Sequence, residues 1–392
     1  MKTIYKHNLP RLYILKISHW FMLVMPIAVL FFQHNGLNLR DIFILQSIYS
    51  ISIVAFEIPS GYFADALGRK NTLMAGAVAG FIGYATYSFS PGFIGFMIAE
   101  IILGLGQSMI SGADSALLYD SLLVDNKQND YLKYESRITS MGNFAEATAG
   151  ILGGILAAYS LRYPYYGQTL IAFFAIPAAI TLIEPETNQK RIEMGWRQIT
   201  GIVRYSLVAN AELRWNILYS SIVGATTLTM AWFVQPWLIR ADVSIKLFGV
   251  IWTLLNITVG VAAIYAYKVE LKYGRKPTIL AFSAVLGFCA IATGIIPHIW
   301  AIIFLSVFYI ARGIVSPVLK DEINRITPSS MRATVLSVRN FTIRIIFSVW
   351  GPLYGWLSDK YSLMLALVMA GVIFFMLSGV SLFFLFRAKS PK

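Results

Sequence analysis

Apolar residues along the chain gather into runs of about twenty, the length that carries a helix across a bilayer. The runs lie near 12–33, 41–60, 71–90, 93–119, 134–159, 165–184, 215–238, 246–267, 277–296, 299–319, 333–357 and 362–386. Polar breakers separate them, among them His34-Asn35-Gly36, Ser90-Pro91-Gly92, Tyr163-Pro164 and Ser358-Asp359. In hydrocarbon every backbone group is bonded within its own segment, so runs this long predict helices. The pattern predicts an all-α membrane protein of twelve uninterrupted spans. The longest polar stretch, Glu184 to Arg214, splits them six and six. The expected organisation is a first bundle over 1–184, a linker over 185–214 and a second bundle over 215–392. Within the linker, Trp196, Ile199, Ile202, Val203 and Leu207 alternate with Lys190, Arg191, Arg197, Arg204 and Arg214. One greasy and one basic face predict a helix lying on the anionic inner leaflet, in contact with membrane lipids.

Composition agrees: 57% of the 392 residues are hydrophobic and 13% charged, too apolar for a soluble domain of this size. The net charge of +13 would suit nucleic acid, but the cations flank apolar spans instead of forming one patch, so no nucleic-acid partner is expected. The single cysteine, Cys289, excludes a disulfide framework and a thiolate metal site. Lys2, Lys6 and Arg11 precede the first run and no small-residue cleavage site follows, so the first helix reads as retained. With the N-terminus inside, cytoplasmic segments hold 23 of the 32 lysines and arginines. That asymmetry places both termini in the cytoplasm, in a multi-pass protein of the inner membrane.

The two halves echo each other. Gly68-Arg69-Lys70 recurs as Gly274-Arg275-Lys276, although Tyr267 and Leu271 replace the upstream Gly61 and Asp65. Ser140-Met141-Gly142-Asn143-Phe144 recurs as Ser337-Val338-Arg339-Asn340-Phe341. The polar turn Gly61 to Lys70 fits G-x-x-x-D-x-x-G-R-[KR] at every specified position and joins the second and third spans. In this the chain resembles the major facilitator superfamily of secondary transporters, bacterial drug and metabolite exporters in particular. The resemblance covers essentially the whole chain. It implies two six-helix bundles rocking about a central cavity lined by spans 1, 4, 7 and 10, as a monomer and without cofactor. It also implies a cytoplasmic gate in which Asp65 caps the start of span 11 and Arg69 pairs with Asp120 at the end of span 4. Family exporters carry an arginine in span 4 where this chain has Glu100, four residues before Gly104. The family's antiporter motif in span 5 keeps its double glycine here, Gly153-Gly154, and lacks its proline.

Charges inside spans point to chemistry, since each costs at least about 2.5 kcal/mol at the bilayer centre. Span 4 carries Glu100, Gln107 and Asp114 at steps of seven, on one stripe. Span 5 adds Asn143 and Glu146. Arg312 lies in span 10; Asn340 and Arg344 share a face of span 11, with Arg339 turned elsewhere. Carboxylates thus mark the first half and guanidinium groups the second. The same groups suit salt bridges between halves, ligand binding, or both. Lys16 and His19 stand one turn apart in span 1; His19 is either a titrating group or a satisfied core histidine. Trp232 in span 7 lines the cavity or anchors at the interface, and Trp237 reads as an anchor.

No phosphate loop, dinucleotide fingerprint or zinc helix is present, so no enzyme is expected and the driving energy is assigned to an ion gradient. A sodium site would be expected around a broken helix, and the sequence predicts none. The expected function is alternating-access export of a small amphiphilic or charged organic solute, coupled to protons. Glu100, Glu146, Asp114 and His19 are the expected groups for protons or cation recognition. Gln107, Asn143, Arg312, Asn340, Arg344 and Trp232 are the expected substrate contacts. Gly61, Asp65, Gly68, Arg69, Lys70, Asp120, Glu57 and Arg339 are expected in the gate, the last two as a salt bridge of the outward-facing state. The alternatives are proton-coupled uptake of an organic acid or nutrient, and a non-cycling receptor or scaffold, which would have no need of an intact gate motif.

Overall fold

A computed structural model describes residues 4–185, 196–296, 298–328 and 331–388. Lys190 and Arg191 of the linker lie outside these residues, as do the side chains of Asp65, Trp196, Arg197 and Ile199. The helices are α1 (Ile4–Trp20), α2 (Ala28–His34), α3 (Leu39–Ala66), α4 (Arg69–Phe89), α5 (Gly92–Ile110), α6 (Ala113–Val124), α7 (Tyr131–Ala157) and α8 (Tyr163–Ile180). They continue as α9 (Trp196–Arg204), α10 (Ala211–Arg240), α11 (Ile245–Tyr273), α12 (Arg275–Ile295), α13 (Ile302–Ile326), α14 (Arg332–Lys360) and α15 (Leu363–Ala388). Among the described residues there is no strand. Pairing α1 with α2 and α5 with α6, and setting α9 apart, gives the twelve spans of an all-α membrane protein. Eight of them are long and apolar enough to cross a bilayer. The other four are α4, α7, α8 and α14, and α7 and α14 carry the polar residues discussed below.

The internal repeat extends to packing. The third span, α4, lies on α5 and α8; its counterpart α12 lies on α13 and α15. The first span, α1, lies on α6, α7 and α8; its counterpart α10 lies on α13, α14 and α15. Small residues make this approach possible, as alternating leucine and alanine in the cluster of Leu73, Ala77, Ala113, Leu117, Ala175 and Ala179 illustrate.

The chain forms two compact units. Unit 1 holds 1–37, 48–191 and 244–253; unit 2 holds 38–47, 192–243 and 254–392. The start of α3 is therefore part of unit 2 and the start of α11 part of unit 1. Two local contacts explain this. Asp359 on α14 accepts from the free N–H groups of Leu39 (3.0 Å) and Arg40 (2.7 Å), capping α3. On the other side Gly249 of α11 lies backbone to backbone on α7, where an added Cβ would stand 2.2 Å from the Gly150 carbonyl oxygen. Thr253 clasps the same seam by donating to the Ala147 carbonyl at 3.1 Å. Gly249→Val should overpack this seam and cost about 1–3 kcal/mol, read as a lower midpoint of thermal unfolding in detergent, with Gly260→Val, at a glycine with open space around it, as the neutral control.

The linker helix differs from expectation. Ile202 of α9 is buried against Leu213, Ile217, Ile323, Val335 and Val338, with Val203 and Leu207 packed alongside. The described part of the face that periodicity assigns to lipid, Ile202, Val203 and Leu207, is turned into unit 2, because the ends of α10, α13 and α14 offer a protein surface equally apolar.

Candidate functional site

Two spans are broken, and the breaks flank one polar cluster. Pro26 has no N–H and its ring crowds the carbonyl four residues back, that of Met22; α1 stops at Trp20 and the chain resumes as a short turn of helix at Met25. The fourth span stops at Ile110 and restarts at Ala113, through Gly112 at φ +83°, a conformation that favours glycine. The expectation of unbroken spans is thereby corrected. It failed because the freed N–H groups find side-chain acceptors that hydropathy does not register. Leu23 N–H donates to Gln168 Oε1 at 2.8 Å and Ser115 N–H to Asp114 Oδ1 at 2.8 Å.

At this level Lys16 Nζ stands 3.2 Å from Asp114 Oδ2, with the two side chains 17% and 18% exposed. His19 lies within electrostatic reach of Gln107, Lys16 and Asp114. Trp20 lies beneath the Lys16 ammonium, 5.6 Å from ring to nitrogen. Gly142 of α7 closes the floor, where a Cβ would meet Trp20 at 3.3 Å and Lys16 at 3.4 Å. Ser115 extends the cluster to α7 by donating to Glu135 Oε1 at 2.8 Å. Glu146 follows Gly142 by one turn, half-buried, and Asn143 is exposed.

Glu100 goes elsewhere. It is 5% exposed and borders Tyr84, Tyr87 and Tyr165, which pack with Phe31 and Phe96 into an aromatic interior. Glu100 and Gln107 share a stripe of α5, but packed helices cross at an angle. Glu100 borders Tyr84 and Tyr87 of α4 and Tyr165 of α8, whereas Gln107 lies near His19 of α1.

In unit 2, Arg339 Nε donates to Ser220 Oγ at 2.5 Å, and its Nη1 to Asn340 Oδ1 at 3.3 Å. The Arg312 guanidinium lies 5.6 Å from the Tyr309 ring and has no carboxylate partner among the described residues. Arg344 has neither ion pair nor hydrogen bond among them. Trp232 is half-buried on α10. Trp237 is 1% exposed, which corrects its reading as an interface anchor: the last turns of α10 are enclosed by their own bundle.

The Gly61–Lys70 stretch, expected as a turn throughout, is helical at both ends: α3 runs on to Ala66 and α4 starts at Arg69, leaving Leu67-Gly68 as the turn. Gly68 precedes α4 at φ +90°. Arg69 bonds the Asp120 carboxylate and donates to the Ala116 carbonyl at 2.6 Å. Glu184, just past α8, supplies the missing cap: its two oxygens accept from the N–H groups of Arg69 (3.0 Å) and Lys70 (2.6 Å). A Cβ on Gly68 would meet that carboxyl carbon at 3.0 Å, a second reason for glycine. Gly61 and Glu57 are exposed, and Ser60 donates to the Glu57 carbonyl at 2.9 Å. In unit 2 Gly274 repeats the conformation at φ +81°. There Arg275 binds three carboxylates: Glu270 at 2.5 Å, Asp321 at 2.7 Å, and Glu322. Sequence reading missed Glu184, Glu270 and Glu322. Their common signal is an acid at a helix end on the side of a Gly-Arg-Lys turn.

A sequence profile of the Major Facilitator Superfamily matches residues 17–352. The chain belongs to this superfamily. Among curated superfamily relatives, the uncharacterized MFS-type transporter YxaM of Bacillus subtilis (strain 168) is 21% identical over 362 residues, covering 88% of each chain. A Na(+), Li(+), K(+)/H(+) antiporter of Planococcus maritimus is 22% identical over 382 residues, 86% of each. The solved nucleoside transporter NupG shares the fold at a TM-score of 0.80, with 15% identity over 99% of this chain and 98% of that one. The superfamily is one of multi-pass membrane proteins that carry small-molecule solutes, and this member is a secondary transporter.

Proposed function

We propose that this transporter exports a small amphiphilic organic solute with an anionic group in exchange for protons, by alternating access, with both termini in the cytoplasm. The observation that carries the reading is the Lys16–Asp114 pair with His19 and Gln107 against it, at the junction of two broken helices. A proton arriving at Asp114 cancels its charge and releases Lys16. Glu146, one turn along α7, is the second acid within this region. Glu100, enclosed by tyrosines, fits a structural role better than a coupling one. Arg312 and Arg344 supply cations that no described carboxylate neutralises, which favours an anionic group on the solute. Antiport in the Planococcus relative supports exchange as the mode. The gate comprises Arg69, Asp120, Glu184 and Asp65.

The test is solute-evoked proton movement in proteoliposomes loaded with a pH-sensitive dye, across a panel of anionic, zwitterionic and cationic amphiphiles. Anionic or zwitterionic members should drive protons opposite to themselves. Movement in the same direction would replace export by uptake, and solute exchange with no proton movement would overturn the coupling.

A further inference from the structure

Gln168 lies on α8, is fully buried, and touches neither Lys16 nor Asp114 in any bond described above. Its Oε1 receives the Leu23 N–H at 2.8 Å. That amide is one of those freed where Pro26 interrupts the first span. Because the backbone group is a donor, the side-chain atom facing it has to be the oxygen, which fixes the orientation of the amide. Its Nε2 is then buried with no partner among the described residues. A buried, half-satisfied amide is unfavourable, and an apolar residue of similar size would remove that cost. What only an acceptor can supply is a partner for the Leu23 N–H.

The carbonyl of the same residue is held as closely. On α7, a Cβ at Gly153 would stand 2.0 Å from the Leu23 carbonyl oxygen, so the helix backbone itself abuts that oxygen. Leu23 is clamped at both of its backbone groups, its N–H by α8 and its carbonyl by α7. His19 and Lys16 precede Leu23 by four and seven residues, one and two helical turns. They ride on the last turns of α1, so any change of angle at Leu23 is carried to both.

We infer that Gln168 is a positioning residue: by accepting from the Leu23 N–H at the break in the first span, it holds His19 and Lys16 against Gln107 and Asp114. The functional meaning of that placement rests on the proposed coupling site; the geometry does not.

The test therefore uses no transport. In a Cys289→Ser background, His19→Cys with Gln107→Cys reports the α1–α5 approach through oxidative cross-linking. Ser115→Cys with Glu135→Cys reports α6–α7, which does not involve α1. Gln168→Leu should slow the first cross-link at least fivefold and leave the second unchanged, and Gln168→Glu, which keeps an acceptor oxygen, should restore the first. Gln168→Asn keeps the amide but shortens its reach, and should slow the first cross-link by a smaller factor even if the leucine variant fails to fold. Wild-type cross-linking in the leucine or asparagine variant overturns the inference, and so does equal slowing of both pairs. A normal pH dependence of transport in Asp114→Asn would instead overturn the coupling site and leave these rates untouched.

Discussion

Asp114→Asn should cut pH-gradient-driven flux at least about tenfold, equivalent to about 1.4 kcal/mol of lost coupling, while solute exchange without a gradient persists. Asparagine keeps the size of aspartate and cannot gain or lose the proton. It also leaves Lys16, two turns before the break in the first span, permanently without its counter-charge. The pair is only 3.2 Å apart and less than one-fifth exposed on either side, so solvent screens it less than a surface pair. Lys16→Met should uncouple by the opposite route, removing the cation that protonation of Asp114 is meant to release. The control is Glu100→Gln, which sits among tyrosines away from the cluster and should retain a wild-type pH profile. Asp114→Asn with a normal pH dependence would exclude this pair and leave Glu146 as the acid to test.

The second large effect is structural. Arg275→Ala should destabilise the protein by roughly 3 kcal/mol, the lower end for breaking a buried ion pair. Arg275 gathers Glu270, Asp321 and Glu322 around one planar guanidinium, and the Glu322 side chain is only 6% exposed. Without the cation, three acids from α11 and α13 repel one another across the start of α12. The lower end applies because Asp321 is 43% exposed and also bonds Arg325. Arg275→Lys should recover only part of the loss, since an ammonium cannot offer the forked geometry that reaches several carboxylates at once. Arg69→Ala should cost less, because Arg69 holds a single carboxylate and a carbonyl, and Glu184 still caps α4. Thermal unfolding of purified protein in detergent measures all three. An Arg275→Ala midpoint equal to wild type, or below it by no more than Arg69→Ala, would show that the network adds nothing.

The candidate site was legible in part. Lys16, His19, Gln107 and Asp114 each stood out as polar residues in apolar spans, because such residues are costly in hydrocarbon. Their meeting was not legible. Steps of seven put Glu100 on the stripe of Gln107 and Asp114, yet Glu100 faces α4 and α8 while the other two face α1. Helical periodicity gives the side of a helix on which a residue lies; it does not give the neighbour on that side, which changes along the helix as packed helices cross. Arg69 and Asp120 were paired beforehand through the family motif, which encodes a contact between distant positions. Glu184 belongs to the same junction but stands outside the motif; its signal, an acid near a helix end, does not say which turn it reaches.

The sequence by itself determined the membrane setting, the number of spans, the division into two related halves and the polar turns that join the spans. These follow from local rules: hydrocarbon thickness fixes the length of an apolar run, and glycine alone tolerates the backbone at Gly68 and Gly274. Only the tertiary structure decided where spans break, which acid receives Lys16, and where the linker helix docks. The first span breaks at Pro26 because Gln168, 145 residues from Leu23, satisfies the freed N–H. Lys16 finds Asp114 because the fourth span also breaks, at Gly112, and its second piece starts beside α1. The apolar face of α9 turns inward because α10, α13 and α14 present it with packing partners. Each outcome depends on a partner remote in the chain, and hydrophobic patterning carries no information about which remote partner is within reach.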